Sequence, residues 1–167
     1  MLLEQLFEKA DFSALWNENY NHSNEPCHNL THYFVALGLP DRTSYWTDRV
    51  RREAYRTGPF GFCGNEDVGQ LSAWYVLSAL GFAQICMGDD RFYMNTPLFR
   101  EATLTLDPCY HGCAVAPTLR IRCDRDPLTN PYVATVTLNG TPVERPYLTY
   151  GELTNGGVLE LALRSEA

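Results

Sequence analysis

Two short polar clusters hold the side chains best suited to chemistry: Asn24-Glu25-Pro26, flanked by His22 and His28, and Asn65-Glu66-Asp67, followed by Gln70. Each mixes carboxylates with carboxamides where a loop runs into a helix. Converging oxygens of this kind suit a hard cation such as Ca2+. They equally suit a general base that draws a proton from water during glycoside cleavage. Each cluster also has a purely structural reading. Asp67 occupies the place of a helix N-cap, and Glu25 stands ahead of Pro26 near the positive end of a helix dipole.

The elements that must position these clusters follow from apolar spacing. Leu2, Leu3, Leu6, Phe7 and Ala10 recur at helical intervals, so a first helix is expected to about Ala10, with a further turn reaching Trp16. A second helix over 27–38 presents Leu30, Tyr33, Phe34 and Leu37, stopped by Gly38 and Pro40. A third, from an Asp41 cap to about Arg56, turns Tyr45, Trp46, Val50, Ala54 and Tyr55 inward. A loop with Gly58, Gly61 and Gly64 then delivers Asn65-Glu66-Asp67 to a helix over 68–80 that is apolar around most of its circumference and ends at Gly81. In a layer of helices alternating in direction, every second junction opens on the same end. The two clusters lie two junctions apart and are therefore expected to share a pocket.

Beyond residue 90 the pattern becomes β. Arg91–Pro97, Thr103–Leu106, Leu119–Arg122, Tyr132–Leu138, Tyr147–Tyr150 and Val158–Leu163 read as strands, and Asn139-Gly140 marks a hairpin into Thr141–Val143. The fold class is α+β: about four helices with the candidate site loops over residues 1–90, then antiparallel β segments over 91–167 that pack on them.

Composition narrows the partners. A net charge of -7 with no basic stripe argues against nucleic acid. The Arg49, Arg51 and Arg52 group is flanked by Asp48 and Glu53 and reads as a solvated helix face. No apolar run reaches a membrane span. The acidic, amphipathic N-terminus lacks the basic start of a signal peptide and reads as a helix entered in mid-fold. The eight Phe, ten Tyr and three Trp suit a large core, with Trp16 and Tyr20 a possible sugar platform. The six cysteines read as free, partly buried thiols, although Cys109, His111 and Cys113 offer three candidate zinc ligands.

Asn24-Glu25-Pro26-Cys27-His28 resembles the Gly-Asn-Glu-Pro-Ser-His signature of glycoside hydrolase family 92, in which Ser23 replaces the usual Gly and Cys27 the usual Ser. The stretch Gly64-Asn-Glu-Asp-Val-Gly-Gln-Leu-Ser-Ala-Trp-Tyr-Val76 is similar to the same family's second signature. The segments Ser78–Phe82, Asn95–Phe99, Leu138–Gly140 and Asn155–Leu159 match as well. The resemblance covers essentially the whole chain.

It implies an inverting, Ca2+-dependent exo-α-mannosidase acting on terminal α-mannosides of glycans. It also implies a fold in which these helices are part of an (α/α)6 barrel that follows an N-terminal β-sandwich. Carried over by position, Asp67 is the general base with Asn65 beside it. Glu25 and Asn24 line the sugar site near the metal, with His22 and His28 as further substrate contacts and Gln70 as a further metal ligand. The family's general acid comes from a region upstream of Asn24-Glu25-Pro26. The expectation is therefore a C-terminal piece that is inactive without the missing sandwich and barrel helices. The alternative is a non-catalytic carbohydrate-binding or structural module that kept the fold.

Overall fold

The computed structural model describes residues 2–111 and 115–167. Four helices come first: α1 (Leu2–Glu8), α2 (Leu30–Ala36), α3 (Pro40–Ala54) and α4 (Gln70–Leu80), with a 3-10 turn at Glu25–Cys27. Their shared core is aromatic. Phe7 stacks on Tyr20 at 4.4 Å between ring centroids and packs against Trp46 at 5.3 Å and Phe34 at 5.6 Å. Val50, Ala54, Leu71 and Trp74 complete it.

The β portion forms two sheets. Strands β1 (Phe82–Ala83), β2 (Arg91–Met94) and β7 (Tyr147–Thr149) make an antiparallel sheet in the order β1-β2-β7. Strands β3 (Glu101–Thr105), β4 (Thr118–Cys123), β5 (Tyr132–Leu138), β6 (Thr141–Pro142) and β8 (Gly157–Arg164) make the other, in the order β3-β4-β8-β5-β6. All its pairings are antiparallel except β4 with β8, which run parallel from Leu119↔Gly157 to Cys123↔Leu161. In β4 burial alternates along the strand, with Leu119, Ile121 and Cys123 inward, as a sheet with one covered face requires. These residues join Val136, Leu148, Leu159, Leu161 and Leu163 in a largely aliphatic core. Leu77 and Leu80 of α4 pack against that core while Leu71 and Trp74 belong to the aromatic one, so α4 links the two.

Several expected boundaries shift for identifiable reasons. Residues 25–27 form a 3-10 turn and α2 starts at Leu30, three residues later than the spacing predicts. Tyr33 and Leu37 are exposed rather than inward. Helix α3 begins at Pro40, whose missing N–H costs nothing in a first turn. Asp41 is therefore not the cap; its carboxylate accepts two 2.7 Å bonds from Arg164 at the far end of the chain. Tyr45 is 40% exposed. Tyr150, read as the end of a strand, instead opens helix α6 (Tyr150–Thr154), started by a capping box between Thr149 and Glu152. A single turn, α5 (Pro108–His111), precedes β4.

Candidate active site

The two acidic junctions touch. A side chain at Gly64 would place its Cβ 2.5 Å from Ser23 Cβ, so only glycine lets the second loop lie against the first. Three residues beyond Gly64 and two beyond Ser23, the carboxyls of Asp67 and Glu25 come within hydrogen-bonding reach of each other. Trp74 Nε1 of α4 donates to the carbonyl of His28 over 3.0 Å, and Gln70 Nε2 reaches His28 Nδ1 over 3.3 Å. Helix α4 is thereby fastened to the turn that carries Glu25.

Asp67 does not cap α4. Asp67 and Val68 adopt left-handed backbone conformations (φ 53° and 58°), Gly69 follows at φ 94°, and the helix opens at Gln70. A β-branched residue rarely takes this conformation. The capping falls instead to Glu66, whose carboxylate accepts from Ser72 N–H over 3.1 Å and from Gly69 N–H. The Ser72 side chain, followed by those backbone bonds, holds the Glu66 carboxyl below the usual carboxylate range. Relieved of capping, the Asp67 side chain turns to Glu25.

The two carboxyls differ in proton affinity. Proximity to Glu25, partial desolvation and the charges of Glu25 and Glu66 raise the Asp67 carboxyl above its ordinary value. Glu25 is held below its ordinary value by a bond to its own backbone and then by the Asp67 carboxyl. A like charge this close raises the proton affinity of the carboxyl with less support, here Asp67.

Beneath the carboxyls lies a floor of buried rings. His22 is 1% exposed and His28 is fully buried. Burial holds His22 well below the ordinary imidazole range and lowers His28 as well, so both are neutral. Their partners then fix each tautomer. His28 Nε2–H donates to the carbonyl of His22 over 2.7 Å, which leaves Nδ1 to accept from Gln70. Tyr55 donates its O–H to the carbonyl of Leu71 over 3.0 Å, so it accepts from His22 Nε2–H over 2.7 Å. His22 Nδ1 in turn accepts from the Tyr20 hydroxyl over 2.7 Å. His32, also buried, donates to Asn95 Oδ1 over 3.0 Å and is pushed down to about 4 by burial.

Placement thus differs among the residues expected to line the site. Glu25, Asn24, Asp67 and Gln70 are half-buried and close to the seam, and Asn65 is exposed. His22 and His28 stand below it with their ring nitrogens already engaged, so the structure sets them as supports where the sequence expects substrate contacts. Tyr20 is 1% exposed and belongs to the core, not to a sugar platform, whereas Trp16 is 70% exposed. Glu66 and Tyr55 went unassigned in the sequence. Glu66 carried the signal, a third acid three residues ahead of the Gly69 amide; Tyr55 carried none. Tyr55 also lines a cleft of about 550 Å³ with Phe62, Tyr75 and Val76, but no carboxylate reaches it.

Among the described residues no group of three or more His, Cys, Asp and Glu side chains is placed to hold a metal. Glu25, Asp67 and the Asn24 carboxamide, which makes no hydrogen bond within the described residues, are oxygen donors of the kind Ca2+ takes. They fit part of a shell of six to eight oxygens. Gln70, its amide nitrogen turned to His28, has only its carbonyl oxygen to add. Of the zinc candidates, Cys113 lies outside the described residues. Cys27, Cys63, Cys86, Cys109 and Cys123 are free thiols.

A carboxyl pair held between two helix junctions, over neutral imidazoles, is an arrangement that glycoside cleavage can use. More particularly, the model of the glycosyl hydrolase family 92 catalytic domain matches residues 2–165, and the chain belongs to that family. Solved structures agree. A family GH92 α-mannosidase from Bacteroides thetaiotaomicron superposes with a TM-score of 0.84 at 24% identity, covering 98% of this chain and 21% of that one. The same enzyme has been solved in complex with mannoimidazole. A family GH92 inverting mannosidase from Bacteroides thetaiotaomicron VPI-5482 is 34% identical, with a TM-score of 0.74, over 87% of this chain and 19% of that one. The chain therefore spans about a fifth of the length of these structures. No curated protein matches it.

Proposed function

We propose that this chain carries the water-activating side of an inverting α-mannosidase site, acting on terminal α-mannosides of glycans. The observation that carries the proposal is the meeting of Glu25 and Asp67 from separate junctions with their proton affinities driven apart. A general base works best when its affinity for a proton is raised toward that of its task. Asp67, the raised member, receives the proton of the attacking water, and Asn65 beside it offers a carboxamide to orient that water. Glu25, the member that keeps its charge, faces the sugar hydroxyls with Asn24. The buried histidines and Tyr55 hold the Glu25 turn against α4 and keep water out from below.

Glu25 cannot serve as the general acid to Asp67. Inverting glycosidases separate acid from base by about 6.5–9.5 Å to admit the water, whereas these two carboxyls lie within hydrogen-bonding reach of each other. The acid is therefore another residue, and the reading is that it lies in a further part of the complete enzyme, without which this chain does not turn over. The four helices are read in the same way, as an arc of an (α/α)6 barrel. Ca2+, when bound, would orient sugar hydroxyls and stabilise charge as the ring distorts. Glu25 and Asn24 would hold it.

The test is made on the complete polypeptide with α-mannobiose, following the first-formed anomer by NMR. The expected result is β-mannose, with turnover reduced at least a thousandfold in Asp67→Asn and binding retained. An Asp67→Asn variant with full activity removes the base assignment. Mannoside binding without turnover in the unsubstituted protein establishes the alternative, a non-catalytic carbohydrate-binding module.

A further inference from the structure

We propose that Trp16 is the platform for the sugar next to the mannose being cleaved, an aglycone contact of the carboxyl site described above; this rests on the mannosidase reading. Trp46 and Trp74 are 3% and 4% exposed, built into the core, whereas Trp16 is 70% exposed. Its backbone is nonetheless pinned on both sides. The Leu15 carbonyl accepts from the Ser23 hydroxyl. Asn17 donates its backbone N–H to Asn21 Oδ1 over 2.5 Å and its side-chain amide to the carbonyl of Tyr20 over 3.0 Å. The Asn21 amide returns to the carbonyl of Asn17 over 2.6 Å. A ring held out to solvent on so constrained a backbone surrenders little freedom when a ligand covers it.

Its position points to a sugar. Leu15 Cδ1 lies 3.4 Å from where a Gly64 Cβ would stand, at the seam where Ser23 meets Gly64. Gly64 is three residues from Asp67, and a chain spans at most about 3.5 Å per residue, so the backbone of Trp16 lies within about 15 Å of the paired carboxyls, inside the reach of a neighbouring sugar ring. The acids sit in a surrounding rich in polar atoms, while Leu15 and Trp16 present apolar surface at its edge. That alternation suits a hexose chain, whose hydroxyls face carboxylates and whose C–H face lies on an aromatic plane.

The experiment compares two substrates of the complete enzyme: α-mannobiose, whose leaving group is a sugar, and α-mannosyl fluoride, whose leaving group has no ring. Trp16→Ala is expected to raise KM for mannobiose about tenfold and to leave turnover of the fluoride unchanged, with Trp16→Phe restoring most of the loss. In parallel, mannobiose is expected to shield from acrylamide the component of fluorescence that Trp16→Phe removes. Unchanged mannobiose kinetics in Trp16→Ala, equal losses on both substrates, or a Trp16 component already shielded without sugar each overturn the platform. Failure of the unsubstituted enzyme to hydrolyse the fluoride would instead overturn the mannosidase reading itself.

Discussion

The two acidic junctions do comparable work by opposite means. The Glu25 turn is fixed from below: its backbone sits on His22 and His28, fully or nearly buried rings whose nitrogens are engaged by Tyr20, Tyr55, Gln70 and a carbonyl. The Asp67 turn has no such floor. It is held by backbone geometry, with φ positive at Asp67, Val68 and Gly69, and by the Glu66 carboxylate drawn across the first turn of α4. One acid is placed by packing and the other by conformational strain. A carboxyl on a packed floor resists displacement, whereas one on a strained exposed turn can shift as its proton leaves. Those are the behaviours that the proposed roles, a sugar-holding Glu25 and a base at Asp67, would require.

The comparison breaks first if the floor proves dispensable. His28→Ala removes the donor to the buried carbonyl of His22 and opens a void beneath Glu25, an expected loss of about 3 kcal/mol in denaturant unfolding. A loss below about 1 kcal/mol would mean that packing does not place Glu25. Acid tests the floor with no mutation. Burial pushes the His32 imidazole down to about 4 in the fold, from 6.5 when free. Because the unfolded chain binds the proton first, stability is full above pH 6.5 and falls as the pH drops toward 4. The loss by the bottom of that window is about 3 kcal/mol, and His22 and His28 act in the same direction. A melting temperature that stays level from pH 7 to pH 4.5 would contradict neutral buried imidazoles.

Much of this contrast was legible in the residues. Helical spacing located α1 to α4, Asn139-Gly140 located a hairpin whose two central residues take φ 51° and 76°, and the junction argument brought Glu25 toward Asp67. What escaped was whatever depends on distant partners or on strain accepted by the whole fold. The start of α4 could not be seen because the local rule makes Asp67 a cap and forbids Val68 a left-handed conformation; the contacts of Glu66 and Gly64 override both. Polar residues default to the surface, so the burial of His22 and His28 shows only once Tyr20 and Tyr55 are in place. The Asp41 partner lies at Arg164, and the parallel register of β4 with β8 is set across most of the β portion. The helix at Tyr150–Thr154 is different: Thr149 and Glu152 spelled out its capping box, and β-rich neighbours masked it.

Smaller effects belong to the second junction. Glu66→Gln keeps the length of the side chain but removes the charge that two amides share, and about a tenfold fall in kcat of the complete enzyme is expected, with KM nearly unchanged, because Asp67 is misdirected while Glu25 is not. An equal rise in KM would instead assign Glu66 to substrate binding.

Val68 gives the smallest change and the cleanest reading of strain. It is fully exposed, so no packing is lost with its side chain, yet it holds φ at 58°. Glycine reaches that conformation without a Cβ clash, although it also adds freedom to the unfolded chain. The relief should exceed that entropic cost, giving Val68→Gly a melting temperature about 2–4 °C higher. If strain rather than packing directs Asp67, the same variant should lower kcat severalfold while it stabilises the protein, since a relaxed turn no longer compels the carboxyl toward Glu25. A variant that is both more stable and fully active would show that the Glu66 bonds alone suffice to aim the base.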